Sequence, residues 1–179
     1  MAGPVAIDRL TDAVLKSTRA FLEPHLVGRG LPYSGIHIAS PDFEHDKIPT
    51  GGARALPYVT IVLAQDETRP WEIGNRRVER TIEFDVWVVC ESFETALRRP
   101  HQVQQLLITS EVDGVGGAIP LIDFDAPGRP TVGFVEIETG VIAPLVDLDA
   151  KEKWRALKYT GVVRCRVARE KERFAALLE

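Results

Sequence analysis

No apolar run in this sequence reaches the length of about 20 residues that a membrane-spanning helix needs, so a helical span is excluded. Cysteine is scarce. Cys90 and Cys165 stand alone, with no CxxC and no Cys–His spacing, so the sequence carries no zinc or dithiol motif. Both fall in strand-like segments, and we expect two free, buried thiols in a reducing compartment. The alternative, a disulfide between neighbouring strands, is disfavoured because cytosolic proteins rarely keep one. Strong charge of one sign is also missing. A formal net charge of -4 and a pI near 5.6 give no general electrostatic affinity for nucleic acid, which leaves only a local basic patch to consider. The start, MAGPVAIDRLTDAVLK, lacks a basic beginning and an uninterrupted apolar stretch, and does not read as a signal peptide.

What remains is an ordinary globular balance. Hydrophobic residues make up 45% and charged residues 27%, which argues against wholesale disorder. At 179 residues the chain is long enough to bury a core without disulfide staples, and residues 1–179 read as a single domain.

Hydrophobic periodicity sets the elements. Leu10, Val14, Ser17 and Phe21 recur at helical spacing and predict a helix over Ile7–Leu22, with Asp8 favourable in its first turn and Pro24, Gly28 and Gly30 ending it. Residues 29–56 read as a long irregular loop holding one short strand, Ser34–Ala39. PYVTIVLA, from Pro57, and VERTIEFDVWVV, Val78–Val89, read as two strands of a hairpin with a projecting tip at 65–77. In the second strand Ile82, Phe84, Val86 and Val88 point one way, and Glu83, Asp85 and Trp87 the other. A helix follows, with Ser92 or Thr95 as its cap and Phe93, Ala96, Leu97, Val103, Leu106 and Leu107 on its apolar face; Pro100 predicts a kink or a restart. After a glycine-rich break come strand-like segments at Ile119–Asp125, Gly133–Ile142 (continuing through Ala143–Leu148) and Trp154–Val167, then a tail at 170–179. In the last strand Leu157, Tyr159, Gly161, Val163, Cys165 and Val167 share one face, and Val162 breaks the polar alternation of the other. Strands that follow one another directly predict an α+β fold. The expected architecture is a mixed, mostly antiparallel β-sheet with an N-terminal helix and a central helix packed on one face.

The search for chemistry finds residues without constellations. His25, His37, His45 and His101 lack the spacing of a zinc-binding HExxH. Asp42, Glu44, His45 and Asp46 form the densest polar cluster. They read either as an oxygen-rich site or as a solvated loop, and they lack the spacing and glycine of a calcium loop. The glycine runs at Gly114–Gly117 and Thr50–Gly52 lack the lysine of a phosphate loop, and no serine sits in a GxSxG elbow. Carboxylates pair at i,i+2 in Asp123/Asp125, Glu136/Glu138 and Asp147/Asp149, which on a strand means one wet face. Basic residues gather at Arg76, Arg77 and Arg80, and at Arg164, Arg166, Arg169 and Lys171. They read as a docking surface for an acidic partner or passing DNA, or as ion pairs with Glu72, Glu79 and Glu83. We therefore expect no catalytic residue, no cofactor and no metal.

The unit from Pro57 to Ile108 carries a pattern. A strand of the type P-x-V-x-I (Pro57, Val59, Ile61) leads to a long alternating strand ending in Asp85-Val86-Trp87. That strand enters a helix bearing Ala96, Val103 and Leu107. This resembles the tail-terminator or tail-completion proteins of long-tailed bacteriophages and related prophages, over roughly the first two-thirds of the chain. The loop at 29–56 and the stretch after Gly114 depart from compact members of that family. The resemblance implies a structural virion protein assembled in the bacterial host cytoplasm and placed at the tail and neck. It would form a ring, commonly a homohexamer, at the head-proximal end of the tail tube, stopping tube polymerisation and joining tail to head. Its implied partners are itself, the tail tube protein and a head–tail connector protein, with no membrane and with DNA only as cargo in the lumen. Trp71, Ile73, Arg76 and Arg77 are the interface candidates. Three alternatives stay open: a monomeric binding or adaptor module, a cap protein of a contractile injection system, and an enzyme using the loop acids with His45 or His37.

Overall fold

The computed structural model describes residues 5–27, 33–39, 56–70, 78–112, 114–145 and 160–167. Its elements are, in chain order, α1 (Val5–Leu26), β1 (Ile36–Ala39), β2 (Tyr58–Pro70), β3 (Val78–Val89), α2 (Phe93–Thr109), β4 (Glu111–Val112), β5 (Val115–Gly116), β6 (Ala118–Ile122), β7 (Thr131–Leu145) and β8 (Thr160–Val167). Six strands form one sheet in the order β1-β2-β3-β8-β7-β6. The β1–β2 pair is parallel, and every other pair in the sheet is antiparallel. The chain is an α+β fold of two helices on a mostly antiparallel, curled sheet.

The curl has a physical cause. Helix α1 packs against both β1 and β6, which lie at opposite ends of the sheet order. A flat sheet would separate those strands by about 24 Å, more than the roughly 10–12 Å diameter of a helix. The sheet must therefore wrap the helix. This explains why α1 is buried over a wider arc than one stripe: Thr11, Ala13, Leu15, Thr18, Leu22 and Leu26 join Leu10, Val14 and Ser17 inside. Thr18 meets its hydrogen-bonding need by donating to the Val14 carbonyl at 2.9 Å. Pro24 does not end α1, contrary to the expectation, and the helix runs on to Leu26. An interior proline costs about 3 kcal/mol. Burying Leu22 and Leu26, both fully inaccessible, returns about 1.5–3 kcal/mol each, which is enough to hold the last turn.

Helix α2 covers β3, β7 and β8. Ser92 is its N-cap: its hydroxyl accepts from the Thr95 amide at 3.3 Å, while the Thr95 hydroxyl accepts from the Ser92 amide at 3.2 Å. Thr95 therefore closes a capping box from the third helical position rather than capping a later start. Pro100 produces no restart; α2 is continuous from Phe93 to Thr109 with Pro100 buried inside it. The proline leaves the Ala96 carbonyl without its usual helical donor. That carbonyl lies over Gly161 of β8, where a side chain would not fit.

The glycine-rich link after α2 is more ordered than a plain break. β4 and β5 pair as a two-residue hairpin. Gly117, at φ +76°, donates to the Ser110 carbonyl at 2.6 Å and accepts from the Ile137 amide at 2.8 Å. A β-carbon there would lie 2.9 Å from the Ile137 carbonyl oxygen, so glycine is required by conformation and by space.

Alternation in β3 and β8 follows the sequence reading. Ile82, Phe84, Val86, Val88, Val163, Cys165 and Val167 are buried toward the helices. Val162, the exception in the pattern, faces the other way and is still buried, directly opposite Trp87. The expected strand Ile119–Asp125 is shorter, ending at Ile122. β8 is described from Thr160, so residues 154–159 of the expected strand, and the tail at 170–179, lie outside the described residues.

β2 and β3 stay paired from Tyr58↔Val89 out to Pro70↔Val78, with a bulge between Leu63 and Gln65. β1 pairs with β2 only as far as Val62, and β8 pairs with β3 only from Glu83. Among the described residues, the outer part of the β2–β3 hairpin is thus a two-stranded ribbon extending past both neighbours. It accounts for residues 65–70 of the expected tip. Much of the 29–56 loop lies outside the described residues, and β1 is the strand expected within it.

Candidate functional site

The four residues singled out for assembly, Trp71, Ile73, Arg76 and Arg77, lie outside the described residues. The base from which they spring is defined: the Pro70↔Val78 pair ends the ribbon. The ribbon is tied to the body at its base, where Ile82, opposite Asp66, is buried in the core. The Thr11 hydroxyl of α1 donates to the Asp66 carboxylate at 2.5 Å, at the point where β2 has passed β1.

The described members of the second basic cluster, Arg164 and Arg166, form ion pairs. Register places Arg164 opposite Asp85 and Arg166 opposite Glu83. Arg164 holds Asp85 with two bonds, Nε to Oδ1 at 2.9 Å and Nη2 to Oδ2 at 3.3 Å. Those bonds favour the charged guanidinium and raise its pKa further. Arg166 approaches Glu83 at 3.6 Å. Of the acids considered as partners from sequence, Glu83 takes part. Asp85 was missed because only the strand register shows it facing Arg164. Arg169 and Lys171 lie outside the described residues.

The remaining candidates are dispersed. His25 lies beside Phe21 in a tilted ring contact with centroids 5.2 Å apart, His37 meets the edge of Tyr58 at 6.1 Å, and His101 is exposed on α2. The Asp42, Glu44, His45 and Asp46 cluster and the Asp147/Asp149 pair lie outside the described residues. Asp123 and Asp125 do not share a strand face. They sit in the β6–β7 turn, where the Asp123 carboxylate accepts from the amides of Asp125 and Ala126 at 3.0 and 3.2 Å. Asp125 pairs with Arg9 at 3.7 Å. This is an Asx turn, a structural use of aspartate. Among the described residues, no group of three or more His, Cys, Asp or Glu side chains is placed to hold a metal ion. No described helix is long and apolar enough to cross a membrane.

One cluster was not anticipated from sequence. Where β3 hands over to α2, the Arg99 guanidinium bonds Glu91 at 2.7 Å and lies 5.5 Å from the Tyr33 ring centroid. The adjacent Cys90 is buried and free. Burial pushes the Tyr33 hydroxyl up to about 12, against the opposing pull of Arg99. Burial likewise pushes the Cys90 thiol up to about 11, again with Arg99 opposing. Cys165, free and more deeply buried, is raised by the same cause. Thiols held protonated near neutral pH are poor nucleophiles. The cluster anchors α2 to the sheet and to the segment before β1. Its sequence trace was faint: the second of two adjacent arginines, eight residues after a Glu, with Tyr33 far away in the chain.

No protein-family model matches this sequence, and no curated protein matches it.

Proposed function

We propose that this chain is a structural assembly protein of the tail-terminator kind, forming a ring at the head-proximal end of a long-tailed phage tail tube. In this role it stops tube polymerisation and offers a surface to the head–tail connector. The observation that supports the reading most is the β2–β3 ribbon, which extends past the described pairing of β1 and β8. A two-stranded ribbon is marginal by itself in water, and an arm of this kind gains stability by lying against a neighbour. An arm that meets a different surface on the next copy makes a head-to-tail contact, which forms a ring where the rotation between copies closes and an open filament where it does not. The residues that carry the resemblance lie in the body beside the ribbon rather than in the ribbon itself. Val59 and Ile61 lie in β2 where it pairs with β1, Asp85, Val86 and Trp87 lie in β3 where it pairs with β8, and Ala96, Val103 and Leu107 are on the buried side of α2. No catalytic role is assigned to any residue in this reading.

The test is the solution mass of the purified protein by light scattering after size exclusion, over a range of concentrations and with tail tubes added. A discrete closed oligomer, or a monomer that forms rings only on tubes, supports the proposal. A monomer that ignores tubes at every concentration overturns it and favours the adaptor-module reading.

A further inference from the structure

We draw no further inference here: the strongest candidate, the outward stripe of α2 formed by the half-exposed Phe93, Leu97 and Ile108, is an unpartnered apolar helix face, and nothing in the structure shows what covers it.

Discussion

Pro100 of α2 lies directly over Gly161 of β8, so close that a β-carbon on Gly161 would meet Pro100 Cγ at 2.1 Å and the Ala96 carbonyl oxygen at 2.7 Å. The two residues are 61 positions apart in sequence. The helix carries a proline where it contacts the sheet, and β8 carries a glycine beneath it.

Gly161→Ala is therefore expected to destabilise the fold by overpacking, by about 1–3 kcal/mol or more. Thermal unfolding reads this directly. Pro100→Ala in the same chain should recover part of the loss, because it removes the nearer clash and leaves the Ala96 carbonyl. Strict additivity of the two changes would show that they do not share a contact.

Ser17 of α1 accepts a hydrogen bond from the Ile122 amide of β6 at 3.0 Å. This satisfies a backbone donor on the sheet's edge strand, where an open edge invites pairing with other chains. Ser17→Ala should cost about 1 kcal/mol and should speed amide hydrogen exchange at Ile122 more than at buried Leu121. Equal exchange at Ile122 in both proteins would remove the edge-capping role.

The Asp85–Arg164 pair is asymmetric: side-chain exposure is 14% for Asp85 and 54% for Arg164. Solvent screening keeps such a pair weak, and a double-mutant cycle with Asp85→Ala and Arg164→Ala should give a coupling of about 0.5–1 kcal/mol at low salt. The coupling should fade in about 1 M salt, where the Debye length falls to about 3 Å. A coupling unchanged by salt would mean that packing, not charge, links the two.

Alkaline pH should unfold this protein from two neighbouring groups. The folded pKa of Cys90 rises from 9.0 to about 11, and that of Tyr33 from 10.0 to about 12. Both groups are neutral when protonated, so the unfolded chain ionises first. Their contribution is fully present below pH 9 and is lost as pH climbs through 11 and 12. Tyr33→Phe should flatten the loss above pH 10 by roughly 1–3 kcal/mol in denaturant titrations; an unaltered slope would place the alkaline sensitivity elsewhere.

If the ribbon is the arm that joins subunits, Trp71→Ala should weaken or abolish the oligomer while leaving the melting temperature of the monomer nearly unchanged. A mutant with an intact oligomer would count against Trp71 as a contact residue. Loss of the oligomer together with monomer unfolding would make it a folding residue instead.

Much of the fold was legible because period carries it. The two-residue alternation of Ile82, Phe84, Val86 and Val88 placed their side chains on one face, and all four are buried there. The three-to-four spacing of Leu10, Val14 and Ser17 did the same for α1. Pro24 misled the reading of where α1 ends, and of the kink or restart expected at Pro100 the restart does not occur, since local propensity says nothing about the leucines and the glycine packed around them. The candidate site was less legible. Arg164 reads as one more surface cation until register sets Asp85 beside it, and Arg99 gives no sign in sequence of lying over Tyr33.

Although Phe93 and Leu97, expected on the apolar face of α2, are half-exposed, within the described residues the sequence alone determined the α+β class, most of the element order, the inward faces of β3 and β8 and the two free thiols. These depend on neighbours a few residues apart, where spacing dictates which side a residue faces. Only the tertiary structure decided the sheet order, the curl around α1, the seat of Pro100 on Gly161 and the pairing of Arg164 with Asp85. Those depend on contacts between distant segments, whose geometry is set by how the whole chain buries its apolar surface at once.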